Sequence, residues 1–239
     1  TLSSPRNSLI AVVAPGGIGK TALILQFLKD LSLSPDYNSS INAIVFCTLK
    51  NERLTADGIE QIEAINGISQ IKESILSDLN SLFGEDSYSS FEEASESLAL
   101  KPILICIDNL ETLLIHSQKE FLEFNQSLPI HWRIIVTSRI SINSAITVTL
   151  DSLRKKHAVS LCRNYFKKRG YQNIEQSTIE NIVKMTNNNP LAIRLTIDLY
   201  SKGSDLSLSI EKSQKDIAAF SYKNLIESLH ENSITILEA

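Results

Sequence analysis

Five short runs of apolar residues stand out along the first 150 residues of the chain. Each is too short for a helix and is bounded by turn-forming or polar residues, which is typical of strands. Short apolar strands separated by helices indicate a parallel sheet that is covered on both faces. The runs are SLIAVVA (8–14), AIVFCTL (43–49), ILICI (103–107), RIIVTSR (133–139) and AITVTL (145–150).

Between and after these runs, apolar positions recur at the spacing of a helix. We therefore expect an α/β fold of the three-layer αβα kind, with a five-stranded, mostly parallel sheet over residues 1–150. A small all-α subdomain should follow over residues 151–212. Residues 84–97 are polar and acidic, and we expect them on the surface. The predicted helices are 20–30, 59–83 (as one or two helices), 112–128, 153–168, 174–186 and 191–200.

Charge and composition exclude some classes of function. The chain has 239 residues, a net charge of −4 and an isoelectric point near 5.6, so no global positive field draws it to nucleic acid or anionic lipid. No apolar run approaches the ~20 residues that cross a bilayer, and the first residues lack the regions of a signal peptide. We expect a cytoplasmic fragment of a longer protein, with no membrane partner.

Residues that often bind metals are scattered in this sequence. Cys47, Cys106 and Cys162 lie far apart, and the first two stand inside apolar runs, so we interpret them as reduced core residues. The four histidines are isolated, and no serine or cysteine stands in a recognisable catalytic triad. We interpret the single tryptophan, Trp132, as a packing residue.

The strongest motif follows the first run, where APGGIGKTAL (14–23) links a predicted strand to a predicted helix. Phosphate binding needs backbone N–H groups around a concavity, a helix N-terminus behind them and a cation for the outer phosphates. Lys20 would contact the β- and γ-phosphate oxygens, and the Thr21 hydroxyl would ligate Mg²⁺. Ala14 replaces a glycine of the usual pattern at the end of the strand, where a methyl group intrudes least. The expected nucleotide-binding residues here are Pro15, Gly16, Gly17, Ile18, Gly19, Lys20, Thr21 and Ala22.

The third run delivers Asp108 to the carboxyl end of its strand, the edge at which open α/β sheets bind ligands. A carboxylate there can hold Mg²⁺ through water, so Thr21 and Asp108 are the expected metal residues. The alternative is an aspartate that only caps the next turn. Asn109 follows, where many hydrolysing proteins of this architecture have a glutamate. Glu111 is either a displaced catalytic base or a charge at a helix N-terminus.

Two weaker signals lie further along the chain. Arg139 ends the fourth run, where a guanidinium can reach the γ-phosphate and distinguish ATP from ADP. The alternative is a surface arginine paired with a loop carboxylate. In NNNPLAI (187–193), Pro190 opens a helix after a polar turn, which by itself is an ordinary helix start. The candidate catalytic residues are Lys20, Asp108, Glu111 and Arg139.

In this order and spacing, APGGIGKT, ILICIDNLE, VTSR and NNNPLAI resemble the nucleotide-binding core of the signal-transduction ATPases with numerous domains, a class of P-loop NTPases. The most similar branch is NB-ARC, shared by plant disease-resistance proteins, apoptosome-forming ATPases and bacterial regulators. The resemblance covers nearly the whole chain. It implies that Pro190 and Leu191 pack on adenine and sense the nucleotide, that Arg139 is a sensor arginine, and that residues 213–239 begin a winged-helix domain.

The sequence departs from that family at two asparagines. Asn109 stands where some members have a second aspartate, which bears on the rate of hydrolysis. Asn189 stands where the proline motif has a glycine, and we interpret this as tolerated because asparagine enters the left-handed region more readily than most residues.

The resemblance implies an ATP-dependent molecular switch with slow ATP hydrolysis, acting in signalling such as defence or transcriptional control. Exchange of ADP for ATP would bring Arg139 to the γ-phosphate, open the chain and expose surfaces for self-association. Sensor and effector domains outside this sequence would supply the trigger and the output. The implied cofactors are ATP or ADP with Mg²⁺, and adenine is preferred on the resemblance alone.

Two other functions stay open. Residues 154–170, RKKHAVSLCRNYFKKRG, hold seven Lys or Arg and no acid, which suits an AAA+-like ATPase that loads onto DNA. An apolar stripe at helical spacing would nevertheless leave these charges on a solvated face. A pseudo-ATPase scaffold, which binds nucleotide without hydrolysis, is favoured by Asn109. DNA is therefore a less favoured partner than adenine nucleotide.

Overall fold

The computed structural model describes residues 9–34, 40–49, 52–55, 58–61, 67–84 and 88–226. The chain divides into two compact units. The first unit holds Thr1–Val13, Lys20–Asn51 and Ile62–Thr149, and the second holds Ala14–Gly19, Glu52–Gln61 and Leu150–Ala239.

The described residues form strands in the first part of the chain and helices throughout. In chain order, the strands are β1 (Leu9–Val13), β2 (Ala43–Thr48), β3 (Glu52–Thr55), β4 (Gly58–Gln61), β5 (Ile103–Asp108), β6 (Trp132–Ser138) and β7 (Ile146–Thr149). The helices are α1 (Lys20–Leu33), α2 (Ile68–Leu82), α3 (Phe91–Ser97), α4 (Glu111–Ser127), α5 (Lys155–Lys168), α6 (Gln176–Met185), α7 (Pro190–Ser201) and α8 (Leu206–Ile226).

All five predicted runs form one parallel sheet in the first unit, in the order β2-β5-β6-β1-β7. The prediction of an α/β fold with a five-stranded parallel sheet is thereby confirmed. Thr48 lies opposite Asp108, and Val13 lies opposite both Ser138 and Thr149. The carboxyl ends of the strands therefore meet at one edge, where open parallel sheets carry their functional groups.

Both faces of β1, β5 and β6 are buried, which explains why these strands are largely apolar runs, whereas the edge strand β7 is mostly exposed. Alternate residues of β1, β2, β5 and β6 form one core cluster with α2, α3 and α4, and the intervening residues of β1 and β5 are also buried. Trp132 lies 6.1 Å edge-to-face from Phe91, and its indole N–H donates to the Leu98 carbonyl oxygen at 3.3 Å. The tryptophan is a packing residue, as predicted.

The prediction of helix throughout residues 59–83 is wrong in its first part. Residues 58–61 form β4, which pairs antiparallel with β3 in a hairpin of the second unit. Among the described residues of this range, only Ile68–Leu82 is helical, with Ile71, Ile75 and Leu79 on its buried face. Single apolar residues in a short strand are easily assigned to the helix that follows, because periodicity cannot separate the two over so few positions.

The segment 84–97, expected to be polar surface, contains the short helix α3. Its Phe91 and Ala94 are buried in the main core, while the acids between them are exposed. The Ser90 hydroxyl oxygen accepts a hydrogen bond from the Glu93 N–H at 3.1 Å and so caps the helix. This cap satisfies one of the donors that a helix N-terminus leaves without a helical partner.

The second unit carries α5 to α8, and helical spacing predicts the first three of them. Their shared core includes Cys162, Phe166 and Ile193. Helix α8 packs on α7, where the Thr196 and Ser213 hydroxyls hydrogen-bond at 2.7 Å. Residue 213 lies inside α8, and residues 227–239 lie outside the described residues, so the winged-helix start stays a prediction. Within the described residues, no helix is both long and apolar enough to span a bilayer.

All three cysteines are free and buried, as predicted. Burial raises the pKa of Cys47 and of Cys162 to about 12, and burial together with the Asp108 charge raises the pKa of Cys106. A thiol with such a pKa is ionised in about one molecule in ten thousand at pH 8.

We expect iodoacetamide at pH 8 to leave the folded chain unlabelled over minutes, because the thiolate is the reactive form and these thiols are buried. The same chain in guanidinium chloride should take up three labels, one for each cysteine, as counted by mass spectrometry. Rapid labelling of any cysteine in the folded chain would contradict its place in the core.

Candidate functional site

Asp108 ends β5 with a buried carboxylate, and the residue is only 2% exposed. Thr21, in the first turn of α1, donates its hydroxyl hydrogen to both carboxylate oxygens, at 2.8 Å to Oδ2 and 3.0 Å to Oδ1. Neighbouring ligands of an octahedral Mg²⁺ lie about 3 Å apart, because each is about 2.1 Å from the ion. The two residues predicted to hold the metal therefore lie at the separation of neighbouring ligands.

Thr137, in β6, holds the Asp108 carboxylate from the adjacent strand. Its hydroxyl donates to Asp108 Oδ1 at 2.5 Å and accepts from the Asn109 N–H at 2.9 Å. The sequence predictions left Thr137 out, although a threonine inside a buried run signals a polar group that needs a partner. It fixes the position of a carboxylate that would otherwise be a buried, poorly satisfied charge.

Asn109 has a structural role at the turn after β5. Its φ is +68°, in the left-handed region that asparagine enters more readily than most residues. The chain turns there, and the next N–H, that of Leu110, donates to the Thr137 carbonyl oxygen at 2.9 Å. The asparagine therefore suits the backbone at this position, whatever its effect on hydrolysis.

Glu111 and Arg139 form a buried ion pair just beyond the ends of β5 and β6. Arg139 Nε lies 2.9 Å from Glu111 Oε1, and the two side chains are 18% and 7% exposed. Glu111 is the first residue of α4, so it also lies where the helix dipole favours a negative charge. Arg139 thus has a carboxylate partner, as the alternative from the sequence proposes, but the partner is a buried helix residue.

The phosphate-loop motif leaves β1 at Ala14 and enters α1 at Lys20, which is 9% exposed. Gly17 and Gly19 have φ values of +79° and +102°, which only glycine adopts without strain. Ala14 is buried, and its φ is not among the positive values, so glycine is not required there. The departure from the usual motif costs the loop no backbone strain.

Within the second unit, the loop lies against the first turn of α7. The Leu191 N–H donates to the Gly17 carbonyl oxygen at 3.3 Å. A Cβ added to Gly17 would lie 3.0 Å from the Leu191 Cβ, a tighter contact than most Cβ atoms make. Gly17 is therefore required both by its φ and by the approach of α7. Of the predicted adenine residues, Leu191 contacts the loop directly, and Pro190 is the first residue of the helix, as predicted.

The interpretation of Asn189 as a left-handed substitute for glycine is wrong. Its φ is −74°, and its side-chain Oδ1 accepts from the N–H groups of Leu191 at 2.9 Å and Ala192 at 3.1 Å. Asn189 is the N-cap of α7, a position at which asparagine is among the preferred residues. The left-handed residues are its two predecessors, Asn187 and Asn188, with φ of +51° and +56°.

The structure thus joins the predicted residues in three contacts: Thr21 with Asp108, Glu111 with Arg139, and Gly17 with Leu191. Of the remaining loop residues, Gly16 is buried, Ile18 is half-buried, and Pro15 and Ala22 are exposed.

The residues fit a magnesium-bound nucleotide. A Cβ added to Gly19 would meet no atom within 4 Å, so the loop leaves open space on the side that a side chain would fill. Lys20 supplies a positive charge at the N-terminus of α1, which itself favours anions. Among the described residues, no group of three or more His, Cys, Asp or Glu could hold a metal. Magnesium would therefore complete its coordination with phosphate oxygens and water, as it commonly does.

No model of a known protein family matches the chain, and no curated protein matches its sequence. Similarity is found among solved structures. A Walker-type ATPase of Pyrococcus abyssi superposes with a TM-score of 0.60 at 14% identity, over 92% of this chain and 70% of that one. The fold is that of P-loop ATPases.

Two further structures share this fold. One is a signal transduction ATPase with numerous domains (STAND) from Pyrococcus horikoshii, which has a tetratricopeptide repeat sensor. It matches with a TM-score of 0.51 at 17% identity, over 96% of this chain and 32% of that one. The other, C. elegans PCH-2, matches with a TM-score of 0.53 at 14% identity, over 90% of this chain and 61% of its own. The chain thus spans about a third of the STAND protein's length.

We expect Thr137→Val to destabilise the fold by roughly 1–3 kcal/mol, because it leaves the buried Asp108 Oδ1 and the Asn109 N–H without this partner. Valine has nearly the same shape, so packing changes little. Thr149→Val, on the exposed surface of β7, is the matched control and should change stability by less than about 0.5 kcal/mol. Urea denaturation of both variants measures the difference, and equal effects would contradict a special role for Thr137.

Proposed function

We propose that the chain binds ATP and ADP with Mg²⁺ and works as a nucleotide-dependent switch that hydrolyses ATP slowly. The observation that carries the proposal is the contact of Thr21 with Asp108, which joins the helix behind the phosphate loop to the end of β5. The two motifs in the right order along the sequence, without this contact in space, would give weaker support. The fold shared with the Walker-type and STAND ATPases points in the same direction.

Each residue of the site has a physical task in this proposal. The loop N–H groups and the N-terminus of α1 bind phosphate oxygens, and Lys20 neutralises the charge of the β- and γ-phosphates. Thr21 and Asp108 hold Mg²⁺, which lowers the repulsion between phosphate groups and an attacking oxygen. Thr137 keeps the Asp108 carboxylate turned toward Thr21.

The switch needs a contact that one nucleotide makes and the other does not. Arg139 provides it by binding the γ-phosphate, which ADP lacks. Within the second unit, the Leu191 N–H donates to the Gly17 carbonyl oxygen, so a loop that moves with its nucleotide also displaces the start of α7. That movement would expose surfaces for self-association. Sensor and effector domains of a longer protein would supply the trigger and the output.

Hydrolysis is expected to be slow because no carboxylate directly follows Asp108. Asn109 occupies that position in a left-handed turn, and Glu111 is paired with Arg139. Single-turnover hydrolysis separates a slow ATPase from a scaffold that only binds nucleotide. Phosphate release over minutes to hours supports the first, and none over a day supports the second.

The first test is nucleotide content and affinity. We expect Lys20→Ala to weaken ATP and ADP binding about tenfold or more, because it removes a charge-assisted contact to phosphate. Lys29→Ala, an exposed residue of the same helix, should leave both affinities unchanged. Calorimetric titration of protein freed of bound nucleotide, with Mg²⁺ present, measures both variants.

Nucleotide released on denaturing the purified protein and identified by chromatography gives an independent result. Retained ADP, with ADP bound more tightly than ATP, would support a switch that is held off until exchange. Absence of any nucleotide binding by the wild-type chain would overturn the proposal.

A second candidate function, an ATPase associated with DNA, is favoured by the basic residues of the helical segment 150–226. Residues 150–226 hold 13 Lys or Arg and 7 Asp or Glu, although the whole chain is acidic. In α5, Ala158, Cys162 and Phe166 are buried, while Lys156 and Lys167 are exposed. The basic residues therefore form an outward face that phosphates can reach.

If that face binds DNA, the contacts of Lys156 and Lys167 with DNA phosphates should contribute to the salt dependence of the binding constant. Replacing both with alanine should reduce the slope of log K against log salt by about 1.8. Lys29→Ala with Lys119→Ala, two exposed lysines of the first unit, is the matched control. Fluorescence anisotropy with a labelled duplex between 50 and 200 mM salt measures the slopes, and no binding at low salt would exclude this function.

A further inference from the structure

Glu111 forms a buried ion pair with Arg139, and neither a catalytic base nor a helix N-terminal charge explains this pair. The Glu111 side chain is 7% exposed, and its Oε1 lies 2.9 Å from Arg139 Nε. Among the described residues, neither carboxylate oxygen of Glu111 accepts a hydrogen bond of good geometry. Glu111 thus depends on the nearby guanidinium charge to compensate its own burial.

A general base needs a carboxylate oxygen that an attacking water can reach. The Glu111 oxygens are buried, and one of them contacts the guanidinium that would serve the γ-phosphate. A glutamate that only interacts favourably with the helix N-terminus needs neither burial nor a partner at the end of a neighbouring strand. Its burial and its contact with Arg139 instead couple Glu111 to the arginine.

We propose that Glu111 is a positioning residue that holds Arg139 and thereby sets the preference of the site between ADP and ATP. This role rests on the proposed function, since it needs a γ-phosphate that recruits Arg139. The Glu111 carboxylate and the γ-phosphate are both anions, and they compete for one guanidinium. ATP binding must separate this ion pair, which lowers the affinity for ATP, whereas ADP binding leaves the pair intact.

The competition predicts how charge removal acts. Glu111→Gln keeps the size of the side chain but removes the anion that holds Arg139. Binding of ATP no longer separates a buried ion pair, so ATP affinity should rise about tenfold while ADP affinity stays the same. The gain should need Arg139, because it comes from the arginine's release.

The experiment measures the affinities of ADP and of a non-hydrolysable ATP analogue, with Mg²⁺, for four proteins: wild type, Glu111→Gln, Arg139→Ala and the double variant. The expected result is an analogue-to-ADP affinity ratio that rises about tenfold in Glu111→Gln. In the Arg139→Ala background the same substitution should leave the ratio unchanged. Glu120→Gln, an exposed glutamate of the same helix, is the control with equal charge and should behave as wild type.

Each other outcome overturns the role. Equal changes in the two affinities would make Glu111 structural, and loss of single-turnover hydrolysis at an unchanged ratio would make it a base. If Glu111→Gln does not fold, Glu111→Asp keeps the charge but shortens the side chain, which weakens the contact with Arg139, and it should raise the ratio by a smaller factor. If the wild type binds no nucleotide, the proposed function itself is overturned. If nucleotide binds but Glu111→Gln leaves the analogue-to-ADP ratio unaltered, only the role of Glu111 is overturned.

Discussion

The buried carboxylate of Asp108 is the constraint on which the arrangement of the site depends. A carboxylate with 2% exposure needs hydrogen-bond donors, because burying an uncompensated charge is costly. Thr21 and Thr137 supply them from α1 and β6, so one side chain ties three elements of the sheet edge together. The same hydrogen bonds bring the hydroxyl and carboxylate oxygens to the separation of magnesium ligands. The stability of this edge and the spacing of the two candidate metal ligands therefore share a cause.

The sheet could be predicted from the sequence because burial on both faces leaves a continuous apolar run, as in β5. The same argument fails where only two side chains are buried. In α3, Phe91 and Ala94 are separated by exposed acids, and composition then suggests a solvated loop. The pattern of Ser90 followed by Glu93 is a capping signal that could have located this helix. The β3–β4 hairpin gives no comparable apolar signal, since each strand has four residues.

Apart from Thr137, the residues of the candidate site were predicted from motifs, but the contact between Glu111 and Arg139 could not be. Glu111 and Arg139 are 28 positions apart, and they meet only because β5 and β6 are neighbours in the sheet. Strand order is a property of tertiary structure that no local pattern contains. Asn189 fails for another reason, because asparagine suits both a left-handed turn and a helix N-cap. The residue type alone does not choose between these two conformations.

One physical rule explains the departure in the phosphate loop but not the one in the turn after β5. A glycine is required where φ is positive or where another chain segment approaches, and Gly17 meets both conditions. The φ of Ala14 is not positive, and its methyl group is buried in the core, so glycine is not required there. At Asn109 the backbone is left-handed, and an acid there would have to adopt the same conformation. Because aspartate also tolerates that region, the backbone alone does not explain asparagine, and the absence of charge next to Asp108 is what distinguishes it.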